Sequence, residues 1–209
     1  MVNNEVNMKA ILYYVYDPMC SWCWGYAPTW QQLKDELTQH IQIVYGVGGL
    51  AEDSSAIMPD EMQVFLQRTW QKISQQLGTQ FNYDFWQRCQ PRRSTFPACR
   101  AVLVARASGK ELEMLAAIQR AYYLQARNPS DIETLQALAV DIGLDENDFL
   151  QQISSQHIEK TLQAEIVKVR AMPISGFPSL VLVKDHTYTA IPIDYNDWRK
   201  SFDVIMDNL

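Results

Sequence analysis

Hydrophobic positions follow two different periods along this chain. Residues 9–16 and 41–47 are short apolar runs, the first of them rich in aromatic and β-branched side chains, so both are predicted strands. Residues 20–39, between them, have a helical pattern, and Pro28 inside that pattern is expected to remove one backbone hydrogen bond and bend the helix. A helix that joins two strands predicts a right-handed parallel βαβ unit.

A long helical region follows, from residue 51 to residue 172, and no strand is evident within it. Its clearest helix is capped by Asp60 and stopped by Gly78, with apolar residues at the 3.6-residue period between them. Further helices are predicted at residues 83–89, 96–108, 111–127, 131–142, 145–153 and 156–169. Strands at 180–183 and 188–193 and a helix at 196–206 close the chain. The predicted order is therefore strand, helix, strand, helical insert, strand, strand, helix.

The first strand leads directly into a C-x-x-C pair, Cys20-Ser21-Trp22-Cys23. If a helix begins at Cys20, the two sulfurs lie at i and i+3 on one face, where Cβ atoms are about 5 to 6 Å apart and a disulfide can close. Free amide N–H groups and the helix dipole favour a thiolate at the first cysteine. The second cysteine lies one turn inward and is more shielded. We therefore expect Cys20 to attack a partner disulfide and Cys23 to resolve the mixed disulfide.

Two other interpretations of the pair remain open. A structural zinc site needs four ligands, but Cys89 and Cys99 do not form a second C-x-x-C and the three histidines are scattered. The two cysteines could also be buried and inert, although a strand followed by C-x-x-C and a helix is the context typical of redox chemistry. We predict no metal.

Composition limits the other function classes. The 209 residues are 47% apolar and carry a formal net charge of −6, which indicates a substantial core and disfavours a nucleic-acid surface. No apolar stretch reaches the roughly 18 residues needed to span a bilayer, and residues 1–8 lack the features of a secretory leader. We expect a cytoplasmic protein without membrane partners, and that compartment favours reduction or isomerisation over net oxidation.

Two motifs carry a resemblance to a known family: C-S-W-C-W-G-Y at residues 20–26 and G-F-P-S at residues 176–179. With them the chain resembles the DsbA-like branch of the thioredoxin superfamily, and within it the FrnE-like group of predicted protein-disulfide isomerases. The resemblance implies an α/β thioredoxin-like fold with an all-helical domain inserted between the second strand and the cis-proline strand. Residues 1–50 and 173–209 would form the thioredoxin-like domain, and residues 51–172 the inserted helical domain.

The resemblance also implies the site. Cys20 and Cys23 would be catalytic as a redox-active disulfide without a resident cofactor, and the substrate-binding residues would be Ser21, Trp22, Trp24, Phe177 and Pro178. Phe177 is expected to act through its backbone, and the two tryptophans through an apolar rim beside the first cysteine. Protein or peptide disulfides are the expected partners, and glutathione is a candidate co-substrate.

The chain departs from its relatives at two points. Many of them place a buried Asp or Glu six residues before the first cysteine, where this chain has Tyr14, a poor base at neutral pH. Ser21 and Trp22 replace the pairs found in better-known relatives. Trp22 cannot carry a positive charge, so a strongly oxidising pair is not expected, whereas Ser21 could donate a hydrogen bond to sulfur.

Three functions compete. The leading one is a thiol-disulfide oxidoreductase, a reductase or isomerase acting on protein disulfides. The others are a glutathione-dependent transferase or isomerase of the kappa type, which generally keeps a serine in place of the nucleophilic cysteine, and a chaperone-like protein that binds apolar peptides. Two further features stay open: Cys89 and Cys99 are either inert or a second redox pair, and a basic patch of Arg92, Arg93 and Arg100 could receive an anion such as glutathione.

Overall fold

A computed structural model describes residues 10–209. Its strands are β1 (Ile11–Tyr16), β2 (Gln42–Val47), β3 (Ser179–Lys184) and β4 (Thr187–Ile191). Its helices are α1 (Ser21–Leu37), α2 (Asp60–Leu77), α3 (Phe85–Arg88), α4 (Phe96–Ala107), α5 (Glu111–Leu124), α6 (Ile132–Asp141), α7 (Glu146–Ile153), α8 (Gln156–Arg170) and α9 (Trp198–Asp207). The predicted order of elements and the α/β class are confirmed.

The four strands form one mixed sheet in the order β2-β1-β3-β4. The pair β1 and β2 is parallel, as predicted from the helix between them, and β3 is antiparallel to both of its neighbours. The carboxyl end of β1 therefore lies beside the amino end of β3, because Val15 pairs with Ser179. This register brings the two sequence motifs to the same end of the sheet.

Side chains on β1 alternate between two buried faces, which is the pattern of a central strand. Leu12, Tyr14 and Tyr16 enter the large core that α1 and the helices of the insert share. Val15 lies in a smaller cluster on the opposite face with Val169, at the end of α8. The sheet is thus covered on both sides, and the motif that follows β1 begins inside the core.

Some predicted bounds were wrong. The helix predicted at residues 83–89 is the single turn α3, and α5 stops at Leu124 because Ala126 adopts a positive φ of 51°. Helix α1 continues through Pro28, which is exposed. Residue 9 of the first predicted strand lies outside the described residues.

Helices α2 to α8 lie between β2 and β3 in the chain, and α8 packs against β2 while α4 packs against α5 and α8. That residues 51–172 form a domain of their own stays a prediction. Within residues 10–209, no helix is both long enough and apolar enough to cross a membrane.

Candidate active site

Cys20 is the N-cap residue of α1, so the helix begins at Ser21, one position after the predicted start at Cys20. Its backbone is extended (φ −77°, ψ 117°), and its Sγ accepts a hydrogen bond from the backbone N–H of Cys23 at 3.4 Å. The backbone N–H of Cys20 donates to the carbonyl of Asp17 at 3.1 Å, which closes the turn before the helix. A cap position places this sulfur at the positive end of a helix of 17 residues. The helix therefore offers a thiolate at Cys20 both a hydrogen bond and a favourable field.

Cys23 is the more enclosed of the two thiols. It is fully buried, whereas Cys20 keeps 7% of its surface exposed. Burial and the neighbouring Cys20 raise the pKa of the Cys23 thiol well above its usual value; a backbone hydrogen bond from Asp17 opposes this, and the Asp17 charge adds a smaller rise. The two cysteines are free thiols here. Cys20 is thus the less enclosed of the two thiols, and Cys23 is the more shielded one, as expected for a residue one turn inward.

The second motif lies directly against the first. The thiol of Cys20 donates to the carbonyl oxygen of Phe177 at 3.3 Å, across 157 positions of sequence. The peptide bond between Phe177 and Pro178 is cis, and Pro178 is buried. The backbone of Phe177, the part of this residue expected to act, is therefore in contact with the Cys20 sulfur.

A cavity of about 350 Å³ opens beside Cys20. Its floor includes Ser21, Trp22 and Phe177 from the two motifs. The rest of its lining comes from the loops that flank β2 and α4 and from α2 and α5, and includes Leu50, Met58, Phe65, Leu66, Thr69, Arg92, Arg93, Thr95 and Tyr122. Leu50 and Phe65 are 41% and 61% exposed. The Cys20 sulfur thus faces an apolar cavity with arginines in its wall.

Ser21 is buried, and its hydroxyl accepts a hydrogen bond from the indole N–H of Trp70 at 3.0 Å. The structure shows no bond from this hydroxyl to sulfur among the described residues. Tyr123, on α5, donates to the carbonyl of Met19 at 2.7 Å. Side chains of the helical insert therefore hold the backbone and the first intervening residue of the C-x-x-C turn.

The two tryptophans of the motif have different surroundings. Trp22 is half-buried, lines the cavity and meets the ring of Tyr195 edge-on at 5.1 Å. Trp24 is not part of the cavity wall: its ring stacks on Tyr123 at 5.6 Å and its N–H donates to the carbonyl of Gln80. The predicted rim beside Cys20 is consistent with Trp22, while the contacts of Trp24 are with the insert.

Tyr14 lies six residues before Cys20, where the resemblance led us to expect an acid. It is buried against Trp30, with ring centroids 4.3 Å apart, and burial together with Cys23 and Cys20 raises the pKa of its hydroxyl well above the usual value. Tyr14 is therefore a still poorer base than its sequence indicates. The acid close to the pair is Asp17, which was not among the predicted site residues; a charged residue directly after seven apolar ones was the available signal.

The remaining cysteines do not pair with each other. Cys89 is partly buried and donates to the carbonyl of Ala126 at 3.0 Å, and the buried Cys99 lies 3.6 Å from a carboxylate oxygen of Asp17. Within residues 10–209, no group of three or more His, Cys, Asp or Glu side chains is placed to hold a metal ion.

The basic patch is largely neutralised. Arg100 bonds to the carboxylates of Asp53 and Glu159, and Arg92 forms an ion pair with Asp131. Arg93 is exposed in the wall of the cavity and has no carboxylate within 4.0 Å in the described part of the chain. Of the three arginines, it is the one available to an anion.

Comparison with known proteins places this arrangement in a family. A family model described as thioredoxin matches residues 13–194, which include both motifs. The chain belongs to the thioredoxin family. Among solved structures, a proposed protein disulfide isomerase from Nitrosomonas europaea is 28% identical with a TM-score of 0.83, over 96% of this chain and 98% of that one. The likeness to DsbA-like proteins inferred from the motifs is confirmed.

Two further relatives have more specific names. The cytosolic disulfide reductase DsbM from Pseudomonas aeruginosa is 24% identical over 95% of this chain and all of that one, with a TM-score of 0.76, and has also been solved with GSH. The ClpXP adapter protein SpxH from Halalkalibacterium halodurans is 24% identical over 84% of this chain, and the SpxH of Bacillus subtilis is 24% identical over 81%. The matched regions span 59% and 56% of these two adapters.

Proposed function

We propose that this protein is a thiol-disulfide oxidoreductase that reduces or isomerises protein disulfides through Cys20 and Cys23. The observation that carries the proposal is the position of the Cys20 sulfur, which caps α1, contacts the Phe177 carbonyl at 3.3 Å and borders an apolar cavity. A helix N-terminus favours the thiolate, the nucleophilic form of cysteine. The cavity beside it has room for the apolar side chains that flank a substrate disulfide.

The proposed reaction has two exchange steps. The Cys20 thiolate attacks one sulfur of the client disulfide, forms a mixed disulfide and releases the other client sulfur as a thiolate, which takes up a proton. Cys23 loses its proton and attacks the Cys20 sulfur, which forms the Cys20–Cys23 disulfide and releases the second client thiol. The client gains two electrons and the pair loses two, so an external thiol must reduce the pair before the next turnover. If the client thiol attacks first, the same intermediate leads to isomerisation.

Insulin reduction tests the proposal. Cys20→Ser is expected to abolish catalysed reduction in the presence of reduced glutathione, while Cys89→Ser, which alters a thiol outside the motif, is expected to keep it. Equilibration of the pair with glutathione then gives the direction: a potential nearer that of thioredoxin (about −270 mV) than that of DsbA (about −120 mV) is expected for a reductase. Full activity of Cys20→Ser would refute the proposal.

Glutathione is the reductant that we favour, acting in the cytosol. Its γ-glutamyl and glycyl carboxylates match the exposed Arg93 guanidinium in the cavity wall, and a guanidinium binds carboxylates in a bidentate manner. Arg93→Gln is expected to raise the KM for glutathione several-fold with little change in kcat. Arg68→Gln, an exposed arginine of α2 that does not line the cavity, is the matched control. Equal KM values in the two variants would exclude this role of Arg93.

A second candidate is an adapter function in which the same surface binds a client without exchange. The names of the curated relatives and the exposed Leu50 and Phe65 at the cavity favour it. Cys20→Ser distinguishes the two candidates, because an adapter keeps its biological effect without the sulfur and an oxidoreductase does not.

A further inference from the structure

Asp17 is a buried carboxylate at the base of the redox motif. It follows β1 directly and has no exposed surface. Its oxygens accept hydrogen bonds from the backbone N–H groups of Met19 at 2.8 Å and Leu50 at 2.7 Å and from the hydroxyl of Thr95 at 2.7 Å. The thiol of Cys99 is a fourth, longer contact at 3.6 Å. Asp17 thus joins the motif turn to the chain after β2 and to the start of α4.

These partners indicate the charge state of Asp17. A backbone N–H can only donate. The Thr95 hydroxyl accepts the N–H of Ala51 at 3.1 Å, and its proton has two possible acceptors, Asp17 at 2.7 Å and the Ala51 carbonyl at 3.3 Å, of which Asp17 is the nearer. Burial raises the pKa of the Asp17 carboxyl, and these hydrogen bonds act in the opposite direction. An ionised carboxylate accepts all of these bonds, whereas a protonated one would need an acceptor of its own. No Lys, Arg or His nitrogen lies within 4.0 Å of Asp17 in the described part of the chain. The negative charge is therefore buried, solvated by dipoles and not balanced by a nearby cation.

The charge lies next to the redox pair. The main-chain carbonyl of Asp17 accepts the N–H of Cys20, three residues on. The Asp17 carboxylate adds to the rise in the pKa of the Cys23 thiol that burial and Cys20 cause, whereas a hydrogen bond from the Asp17 backbone, which Asp17→Asn keeps, lowers that pKa by more. The other titratable groups that face it are Cys99 from α4 and Tyr122 from α5, both neutral at pH 7 because their pKa values are raised by burial.

We propose that Asp17 is a positioning residue whose fixed negative charge keeps the Cys20–Cys23 pair reducing. Reduction of the disulfide takes two electrons and two protons and yields two thiols, one of which lies at the N-terminus of α1. A stabilised thiolate stabilises the reduced state and makes a pair oxidising, and a buried negative charge nearby has the opposite effect. The carboxylate therefore opposes the helix dipole and shifts the equilibrium toward the disulfide, the product of a reductase. This inference rests on the proposed function.

Asp17→Asn tests the charge, and Thr95→Val is its matched control. Both remove hydrogen bonding at the same turn, but Thr95→Val keeps the carboxylate. In a glutathione buffer at pH 7.5, Asp17→Asn is expected to move the equilibrium toward the dithiol by about tenfold, which corresponds to about one pKa unit, and to speed alkylation of Cys20 at pH 6. Thr95→Val is expected to leave the dithiol–disulfide equilibrium constant in the same buffer within about twofold of that of the unaltered protein. Equal shifts in both variants, or none in Asp17→Asn, would overturn the proposal.

A measurement on the unaltered protein covers the case in which Asp17→Asn does not fold. Coupling between two sites is reciprocal, so reduction of the pair must raise the pKa of the Asp17 carboxyl if that carboxyl disfavours the thiolate. Carbon NMR of the carboxyl groups in the disulfide and dithiol forms reports this change, and an identical Asp17 titration in both forms would refute the inference. The proposed function fails separately, if Cys20 and Cys23 do not form a reversible disulfide in the same buffers.

Discussion

Gly48 provides a direct steric test of the contact between the two motifs. It follows β2, is buried, and its N–H donates to the carbonyl of Tyr16 at 2.7 Å. A Cβ built at this position lies 2.0 and 2.2 Å from two ring carbons of Phe177. The backbone of Gly48 does not need a positive φ, and the three nearest atoms that the added methyl group meets all belong to that ring.

The size of the perturbation follows from these distances. Ordinary contact between carbon atoms is about 3.5 to 4.0 Å, so the Phe177 ring must move by about 1.5 Å or more. Overpacking of this kind costs about 1 to 3 kcal/mol of unfolding free energy. The ring belongs to the residue whose carbonyl contacts Cys20, and displacement of a reacting group by about 1 Å can cost a hundredfold in rate. We therefore expect Gly48→Ala to reduce insulin at least about tenfold more slowly than the unaltered protein does.

The assay has a matched control and a rescue. Gly176→Ala adds the same methyl group beside Phe177 but meets nothing within 4 Å, so it should leave the rate within about twofold and the stability within about 0.5 kcal/mol. Phe177→Ala in the Gly48→Ala background removes the ring and keeps the carbonyl, and should restore part of the lost rate. Gly48→Ala behaving like Gly176→Ala in both rate and urea unfolding would refute the reasoning.

Three further predictions concern stability and are checked by urea unfolding. Trp70→Phe removes the donor to the buried Ser21 hydroxyl and should cost about 1 to 3 kcal/mol; no loss would show that this bond does not hold the motif. Arg106→Met leaves the two carboxylates it bonds unpaired and should cost about 1 to 3 kcal/mol, less than a fully buried pair because the site is partly exposed; a stabilised variant would contradict this. A hydrogen bond from Lys200 and two backbone hydrogen bonds lower the pKa of Asp194 to about 2. The charged carboxylate therefore stabilises the fold above about pH 4, so Asp194→Asn should lower the unfolding free energy there and have no effect below about pH 2. A difference in unfolding free energy that does not change with pH would contradict this prediction.

The order of elements could be predicted because most helices and strands have a hydrophobic pattern and end signals within their own residues. Strand β1 has the aromatic and β-branched residues of a short strand, and α2 has its apolar period and ends at Gly78, which adopts a positive φ of 69°. The failures are equally local in origin. Helix α3 has one turn, too short for a period to establish its ends, and the positive φ at Ala126 that ends α5 occurs at a residue type that normally prefers helix.

The site was predictable only where a motif marks it. The two cysteines lie three positions apart and Phe177 precedes a proline at the start of a strand, so both motifs could be found in sequence. The bond from Trp70 to Ser21 spans 49 positions and that from Thr95 to Asp17 spans 78. Contacts between residues so far apart produce no recognisable pattern in the amino-acid sequence, because they depend on how the insert packs against the sheet.

Trapping of the exchange intermediate tests the central claim most directly. Cys23→Ser removes the resolving thiol, so reaction with a disulfide peptide should leave one peptide covalently attached, and mass spectrometry of proteolytic fragments should place it on Cys20. Cys20→Ser should carry no adduct within the motif. An adduct found only on Cys89, or no adduct on Cys23→Ser under conditions in which the unaltered protein reduces insulin, would contradict the account.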